Sequence, residues 1–222
     1  MNPPDPVERV PIMTDMTRKT LGVILAGGQA RRMGGGDKGL LDLDGRKLLE
    51  EVIARAAPQC DDLVINANGP PDRFASYGLP VVADSLADFP GPLAGVLAGM
   101  DHAATRGYSH VLSLAADTPF FPRDLGEKLQ AAIGPYQPIA ISATRGADRL
   151  IRQPTFGLWP VARREELRQS LRAGLSKILL WAERHGYALV PFDTDGHDPF
   201  FNVNTAEDLA QARQIWQKIT QE

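Results

Sequence analysis

Along the first 140 residues, short apolar runs alternate with stretches of helical periodicity. Runs at 21–25, 62–66, 80–83 and 109–115 read as strands, with later ones near 138–143, 154–159, 187–192 and 200–203. Helical patterns occupy 46–57, 92–105, 122–133, 163–171, 176–185 and 205–219. The last has Asn204 or Thr205 as a cap and Glu207 and Asp208 in its first turn. Strands and helices in alternation predict an α/β fold: a mostly parallel twisted sheet with helices on both faces. Ligands of such sheets lie beyond the carboxyl ends of the strands. With 222 residues and 43% hydrophobic side chains, the chain can bury one sizeable core. No internal repeat or composition shift asks for a second domain.

Several function classes lose support. A net charge of −3 gives no general attraction to nucleic acid or membranes. The single cysteine, Cys60, cannot form an internal disulfide, points to a reducing compartment and reads as a small hydrophobe. His102, His110, His185 and His197 lack metal-ligand spacing. The start, Met1 to Pro6, is not a signal peptide, and no apolar run approaches a membrane span. A soluble cytoplasmic protein is expected, with residues 1–18 as a mobile, Pro-rich tail and a single domain over 19–222.

The first strand candidate leads directly into LAGGQARRMGGGDKG, residues 25–39, which hold six glycines, two arginines and a lysine. Glycine is costly to order and serves where backbone bends or approaches a partner closely. Backbone N–H groups in such turns form anion-binding concavities, and Arg31, Arg32 and Lys38 add donors suited to phosphate. Gly34 to Gly39 match G-x-G-x-x-G, but nine residues past the strand, where the dinucleotide fingerprint should follow at once. A P-loop needs Ser or Thr after its lysine, and Gly39 follows Lys38.

Carboxylates at strand ends complete the picture. Asp117 ends the run 111–116 and either projects from the carboxyl edge of a central strand or caps the helix near 122. Asp84 ends 80–83, and Asn66 and Asn68 follow 63–65. Pro92 sits in the first turn of a helix, where Gly95 and Gly99 fit either close packing on the sheet or ligand contact. In FFNVNTAEDL, residues 200–209, Asn202 and Asn204 share one face of an extended segment that enters a helix. Paired amides at a helix start suit an anionic ligand, unless Asn204 merely caps.

Leu25-Ala26-Gly27-Gly28, Arg32-Met33-Gly34 and Asp37-Lys38 together resemble the nucleotidyltransferase signature L-A-G-G-x-x-x-R-M-G-x-x-K. More narrowly, the chain resembles the molybdenum cofactor guanylyltransferase family over roughly residues 20–215. The resemblance implies a Rossmann-like fold of the nucleotide-diphospho-sugar transferase type. Its nucleotide-binding part would span about 19–135 and its acceptor-binding part about 136–222. It implies that Leu25, Ala26, Gly27, Gly28, Asn66, Asp84 and Asp117 bind nucleotide, that Lys38 contacts the triphosphate, and that Asp117 holds Mg²⁺. Lys38, Asp117 and Arg32 would be the catalytic set. Asn202 and Asn204 would lie near the acceptor, together with Gln153, which stands where the family usually has histidine. Arg149 and Arg152 could face an acceptor phosphate or solvent equally well.

The activity implied is transfer of GMP from GTP to the terminal phosphate of molybdopterin, releasing pyrophosphate and forming the guanine dinucleotide cofactor. GTP and molybdopterin would be the partners, with transient contacts to cofactor synthesis or insertion proteins and a monomeric state. The first rival is cytidylyl or other nucleotidyl transfer to molybdopterin or a sugar phosphate. Relatives that use cytidine tend to have alanine where this chain has Gly27, so Gly27 leans towards guanine. The second rival, from another class, is a non-catalytic nucleotide or cofactor carrier.

Overall fold

The computed structural model describes residues 18–27, 37–86, 91–146, 148–194 and 196–221. Seven strands form one sheet: β1 (Thr20–Leu25), β2 (Asp62–Asn66), β3 (Val81–Val82), β4 (His110–Ala115), β5 (Ile139–Arg145), β6 (Leu150–Pro160) and β7 (Tyr187–Phe192). Their order is β3-β2-β1-β4-β6-β5-β7. β6 is antiparallel to both β4 and β5, while the other neighbouring pairs run parallel. A mostly parallel sheet is therefore what the chain forms. The continuous apolar burial of β1 is what a strand covered on both faces requires.

Among the described residues, six helices of at least two turns follow the expected places: α1 (Leu48–Ala56), α2 (Pro92–Ala104), α3 (Leu125–Ala132), α4 (Arg164–Arg172), α5 (Ile178–His185) and α6 (Ala206–Gln221). One core packs α1 and α3 against the sheet through Leu49, Val52, Leu125 and Leu129. A second packs α2, α4 and α5 on the other face through Leu93, Val96, Leu167 and Trp181. Val203 and, on α6, Ala212 and Ile215 close a smaller cluster with Leu43, Leu48 and Phe120. α2 approaches the sheet closely because it carries glycine at the contacts. A Cβ at Gly99 would collide with Val23, and one at Gly95 would collide with Asn66 and Leu25. Packing thus accounts for both glycines.

One expectation fails. Residues 200–203 form no strand, and Phe201 to Asn204 run as an irregular segment. Val203 N–H donates to the carbonyl of Asp117 at 2.9 Å, which staples the segment onto the end of β4 without sheet pairing. Local apolar alternation there reflects Phe200 and Val203 dipping into separate cores. Of the expected tail, residues 1–17 lie outside the described residues, while Arg18 donates to the carbonyl of Gln130 at 3.2 Å. Cys60 packs against the core. Burial, with the charge of Asp61 adding, pushes its thiol up to about 12, so it is no nucleophile near neutral pH. Among the described residues, no helix is long and apolar enough to cross a membrane.

Candidate active site

The chain leaves β1 towards β2 and β3, then returns to place β4 on the other flank of β1. Such a reversal opens a crevice at the carboxyl ends. The register makes those ends level, with Leu25 beside Asn66 on one flank and Ala115 on the other. The pairing extends past them, as Ala26 N–H donates to Asn66 O at 2.8 Å and Ala116 N–H to Leu25 O at 3.2 Å.

Three expected residues meet at this crevice. Lys38 Nζ donates to Asp117 Oδ2 at 3.2 Å and also to Asn204 Oδ1. The ammonium and carboxylate are 18% and 16% exposed, so both remain within reach of a ligand. Lys38 opens a short 3-10 turn, Lys38–Leu40. The chain then passes close beneath β4, where a Cβ at Gly39 would stand 3.2 Å from Ala116 Cβ. Asp117 caps no helix; its carboxylate turns to Lys38. α1 steadies the segment after it, because the buried Arg55 donates to Glu51 Oε1 at 2.7 Å and to Phe121 O at 3.2 Å.

Asn204 proves not to be the cap of α6. Thr205 Oγ1 accepts from Asp208 N–H at 3.1 Å, and Asp208 Oδ2 accepts from the N–H groups of Asn204 and Thr205 at 2.9 Å each. The bonds from Asn204 and Thr205 hold the Asp208 carboxyl below its usual range, with the charge of Lys38 a smaller contribution. This cap leaves the Asn204 amide free to face Lys38. A residue expected at the acceptor thus joins the lysine–aspartate pair.

A second group lies over β2. Asn66 is buried, and its Nδ2 donates to Val82 O at 3.1 Å and Asp84 Oδ1 at 2.9 Å. Asn68 Nδ2 donates to Asp84 Oδ2 at 2.7 Å, and Asp84 N–H donates back to Asn68 Oδ1 at 2.9 Å. Each carboxylate oxygen has a second acceptor site, so Asp84 can still receive donors from a ligand. Ala26 is buried, whereas Gly27 is exposed. Among the described residues no atom lies within 4 Å of where a Cβ at Gly27 would stand, so protein packing does not demand the glycine. Gly28, Arg31 and Arg32 lie outside the described residues.

Gln153 belongs to a different group. Its Nε2 donates to Thr144 Oγ1 at 3.0 Å, and Thr144 Oγ1 donates to Asp198 Oδ1 at 3.4 Å. Asn202 is exposed. Arg149 is exposed, and Arg152 pairs with Glu183 of α5 at 3.4 Å. Arg152 also lines a pocket of about 460 Å³ with Pro92, Pro154 and Leu179.

Arg73 and Asn68 make contacts that the sequence does not indicate: Arg73 Nε pairs with Asp37 Oδ2 at 2.5 Å, and Asn68 Nδ2 donates to Asp84 Oδ2 at 2.7 Å. Arg73 sits in a polar, proline-led stretch, Pro70-Pro71-Asp72-Arg73, which offers no periodicity to single it out. Asn68 was visible beside Asn66, but its two bonds to Asp84 depend on the turn at Gly69, where φ is +84°.

Comparison with known proteins gives the family. The model of the MobA-like NTP transferase domain matches residues 22–189. A molybdenum cofactor guanylyltransferase of Nitrobacter hamburgensis is 48% identical over 91% of this chain and 97% of its own length. Molybdopterin-guanine dinucleotide biosynthesis protein A of Archaeoglobus fulgidus superposes with a TM-score of 0.66 at 25% identity, covering 90% of this chain and 99% of that one. At 15% identity, CMP:2-keto-3-deoxy-manno-octonic acid synthetase, complexed with CTP, shares the fold with a TM-score of 0.70 over 90% of this chain and 99% of that one. The chain belongs to the MobA-like NTP transferase family and is a nucleotidyltransferase related to the molybdenum cofactor guanylyltransferases.

Proposed function

We propose that this enzyme transfers GMP from GTP to the terminal phosphate of molybdopterin, releasing pyrophosphate and forming the guanine dinucleotide cofactor. The observation that carries the reading is Lys38 set between Asp117 and Asn204 at the crevice beside β1 and β4. Residues of about 19–135 form the nucleotide-binding part and those of about 136–222 the acceptor-binding part. Asn204 reaches from the second into the first.

Nucleotidyltransferases generally use a divalent metal, and the donors present suit Mg²⁺. Among the described residues no group of three or more His, Cys, Asp or Glu side chains gathers to enclose an ion. The Asp117 carboxylate lies at the crevice beside Lys38, which also donates to the amide oxygen of Asn204. Mg²⁺ takes one or two carboxylates and fills its shell with water and substrate phosphate oxygens. Asp117 would hold such an ion, which would supply neutralisation of charge on the α-phosphate and the leaving pyrophosphate.

The protein's own tasks are positioning and screening. The acceptor is a phosphate monoester with a second pKa near 6 and is already a dianion at neutral pH, so it needs no general base. Two unit charges 4 Å apart repel by roughly 4 kcal/mol at an effective dielectric near 20. Lys38 offsets that repulsion, and Arg32 is assigned the same task. Leu25, Ala26, Gly27 and Gly28 follow the triphosphate with their backbone. Asp84 accepts from the N1–H and N2–H groups of guanine, while Asn66 holds Asp84 in place. Asn202 and Gln153 approach the acceptor. Gly27, where relatives that use cytidine tend to have alanine, leans towards guanine.

The test is pyrophosphate release by the purified protein with Mg²⁺, molybdate-loaded molybdopterin and each of GTP, CTP, ATP and UTP. Release with GTP alone is expected. Release with CTP at an equal rate would overturn the base assignment, and no release despite GTP binding would overturn the acceptor.

A further inference from the structure

We propose that Arg73 is a positioning residue for the nucleotide: a guanidinium latch that fixes the separation between the phosphate-binding and base-binding sides of the crevice. The proposal rests on the functional reading above. Arg73 lies in the 3-10 stretch Pro71–Tyr77, outside the glycine signature. Its Nε pairs with Asp37 Oδ2 at 2.5 Å, and Asp37 is the residue before Lys38. Its Nη2 donates to Asn68 O at 2.6 Å and its Nη1 to Pro70 O at 2.5 Å. The plane is backed by the fully buried Phe74, with Cζ 4.7 Å from the ring centroid.

These contacts join the segment at Asp37, which leads into Lys38, to the turn that follows β2. From Asp37 the path runs through Arg73 to the Asn68 carbonyl, then through the Asn68 amide to Asp84 and on to Asn66. On the other side, Asp37 O accepts from Leu40 N–H at 3.0 Å and shapes the turn that presents Lys38. One side chain therefore sets where the ammonium for the phosphates stands relative to the carboxylate for the base. A triphosphate and its base are joined covalently, so a crevice of the wrong span can satisfy one end only. Arginine is required because its fork gives three directed N–H groups to three acceptors, whereas lysine offers a compact charge that cannot reach all three at these angles.

The consequence is specific. Loosening the latch weakens nucleotide binding, while the phosphoryl chemistry at Asp117 and Lys38 goes on once nucleotide is seated. Arg73→Lys and, separately, Asp37→Asn should each raise the KM for GTP roughly tenfold and leave kcat within about twofold. The double variant should be no worse than the poorer single one, as expected for two partners of one contact. The KM for the acceptor should not move. GTP binding by calorimetry on each folded variant, checked by its thermal midpoint, provides a readout independent of turnover. Asp37→Asn covers the case in which Arg73→Lys fails to fold. Wild-type GTP affinity in both variants overturns the latch and leaves the functional reading standing. A loss of kcat with KM unchanged also overturns it, since that would place Arg73 in the chemical step. Absence of GTP binding by the wild-type protein overturns the functional reading and the latch together.

Discussion

The two flanks of the crevice differ in how much of their polar surface is already committed. Over β1, β2 and β4, Asp37, Arg73, Asn68, Asp84 and Asn66 form one connected path, and Lys38, Asp117 and Asn204 form another. Over β5 and β6, Gln153, Thr144 and Asp198 make a short separate chain, while Asn202 and Arg149 are exposed. The first flank is preorganised, which lowers the ordering cost of binding a ligand of fixed shape. The second leaves its side chains to settle when the acceptor arrives. On this account the nucleotide flank is stiff and the acceptor flank adaptable.

The largest effect that would break this contrast lies at Asp117. Asp117→Ala removes the carboxylate paired with Lys38 and should lower kcat by about a thousandfold with GTP binding reduced far less. Stopped-flow or steady-state pyrophosphate release reads both quantities. Retained activity would remove Asp117 from the mechanism and with it the idea that the stiff flank does the chemistry.

Next comes a test of stiffness through packing alone. Gly95→Ala places a methyl group against Asn66 Oδ1 and the Leu25 side chain. Asn66 must move and Asp84 Oδ1 loses the Asn66 donor, so GTP affinity should fall roughly tenfold while the fold persists. Calorimetric titration with GTP checks this. Unchanged affinity would show that Asn66 and Asp84 tolerate displacement and that the flank is not preorganised.

A smaller effect is expected across the crevice. Gln153→Ala should change the acceptor KM by a few-fold and leave the GTP KM unaltered, because its bond to Thr144 is confined to the β5–β6 chain. A matching loss in GTP affinity would mean the flanks are coupled.

The smallest effect concerns pH. The Asp208 carboxyl is held below its usual range, first by the Asn204 N–H. A depressed carboxylate contributes stability above its unfolded pKa of about 4, and loses it as pH falls through the lower folded value. Asp208→Asn should therefore lower the thermal midpoint near neutral pH by about 2 °C, with the gap closing as the pH falls through the depressed folded value. A gap independent of pH would deny Asp208 its charged role in holding the Asn204 segment.

The same contrast decides what could be read before the structure. β1, β2 and β4 announce themselves because doubly covered parallel strands are continuous apolar runs, and Lys38, Asn66 and Asp117 come at or after their ends. Asn204 stands out in the sequence, but its bond to Lys38 does not. Which way its amide turns depends on Thr205 taking the cap, a choice that two adjacent capping residues leave open. Residues 200–203 looked like a strand because burial in two different cores imitates sheet alternation. Arg73 was illegible, since its role comes from a 36-residue gap in sequence between it and Asp37 that only the fold closes.

The most direct test is a crystal structure with Mg²⁺ and a GTP analogue carrying a methylene bridge between the α- and β-phosphates. The account predicts metal on the Asp117 carboxylate, Lys38 Nζ turned from Asp117 to a phosphate oxygen, guanine against Asp84, and the Arg73–Asp37 contact unchanged. Guanine bound away from Asp84, or a metal held without Asp117, would contradict it.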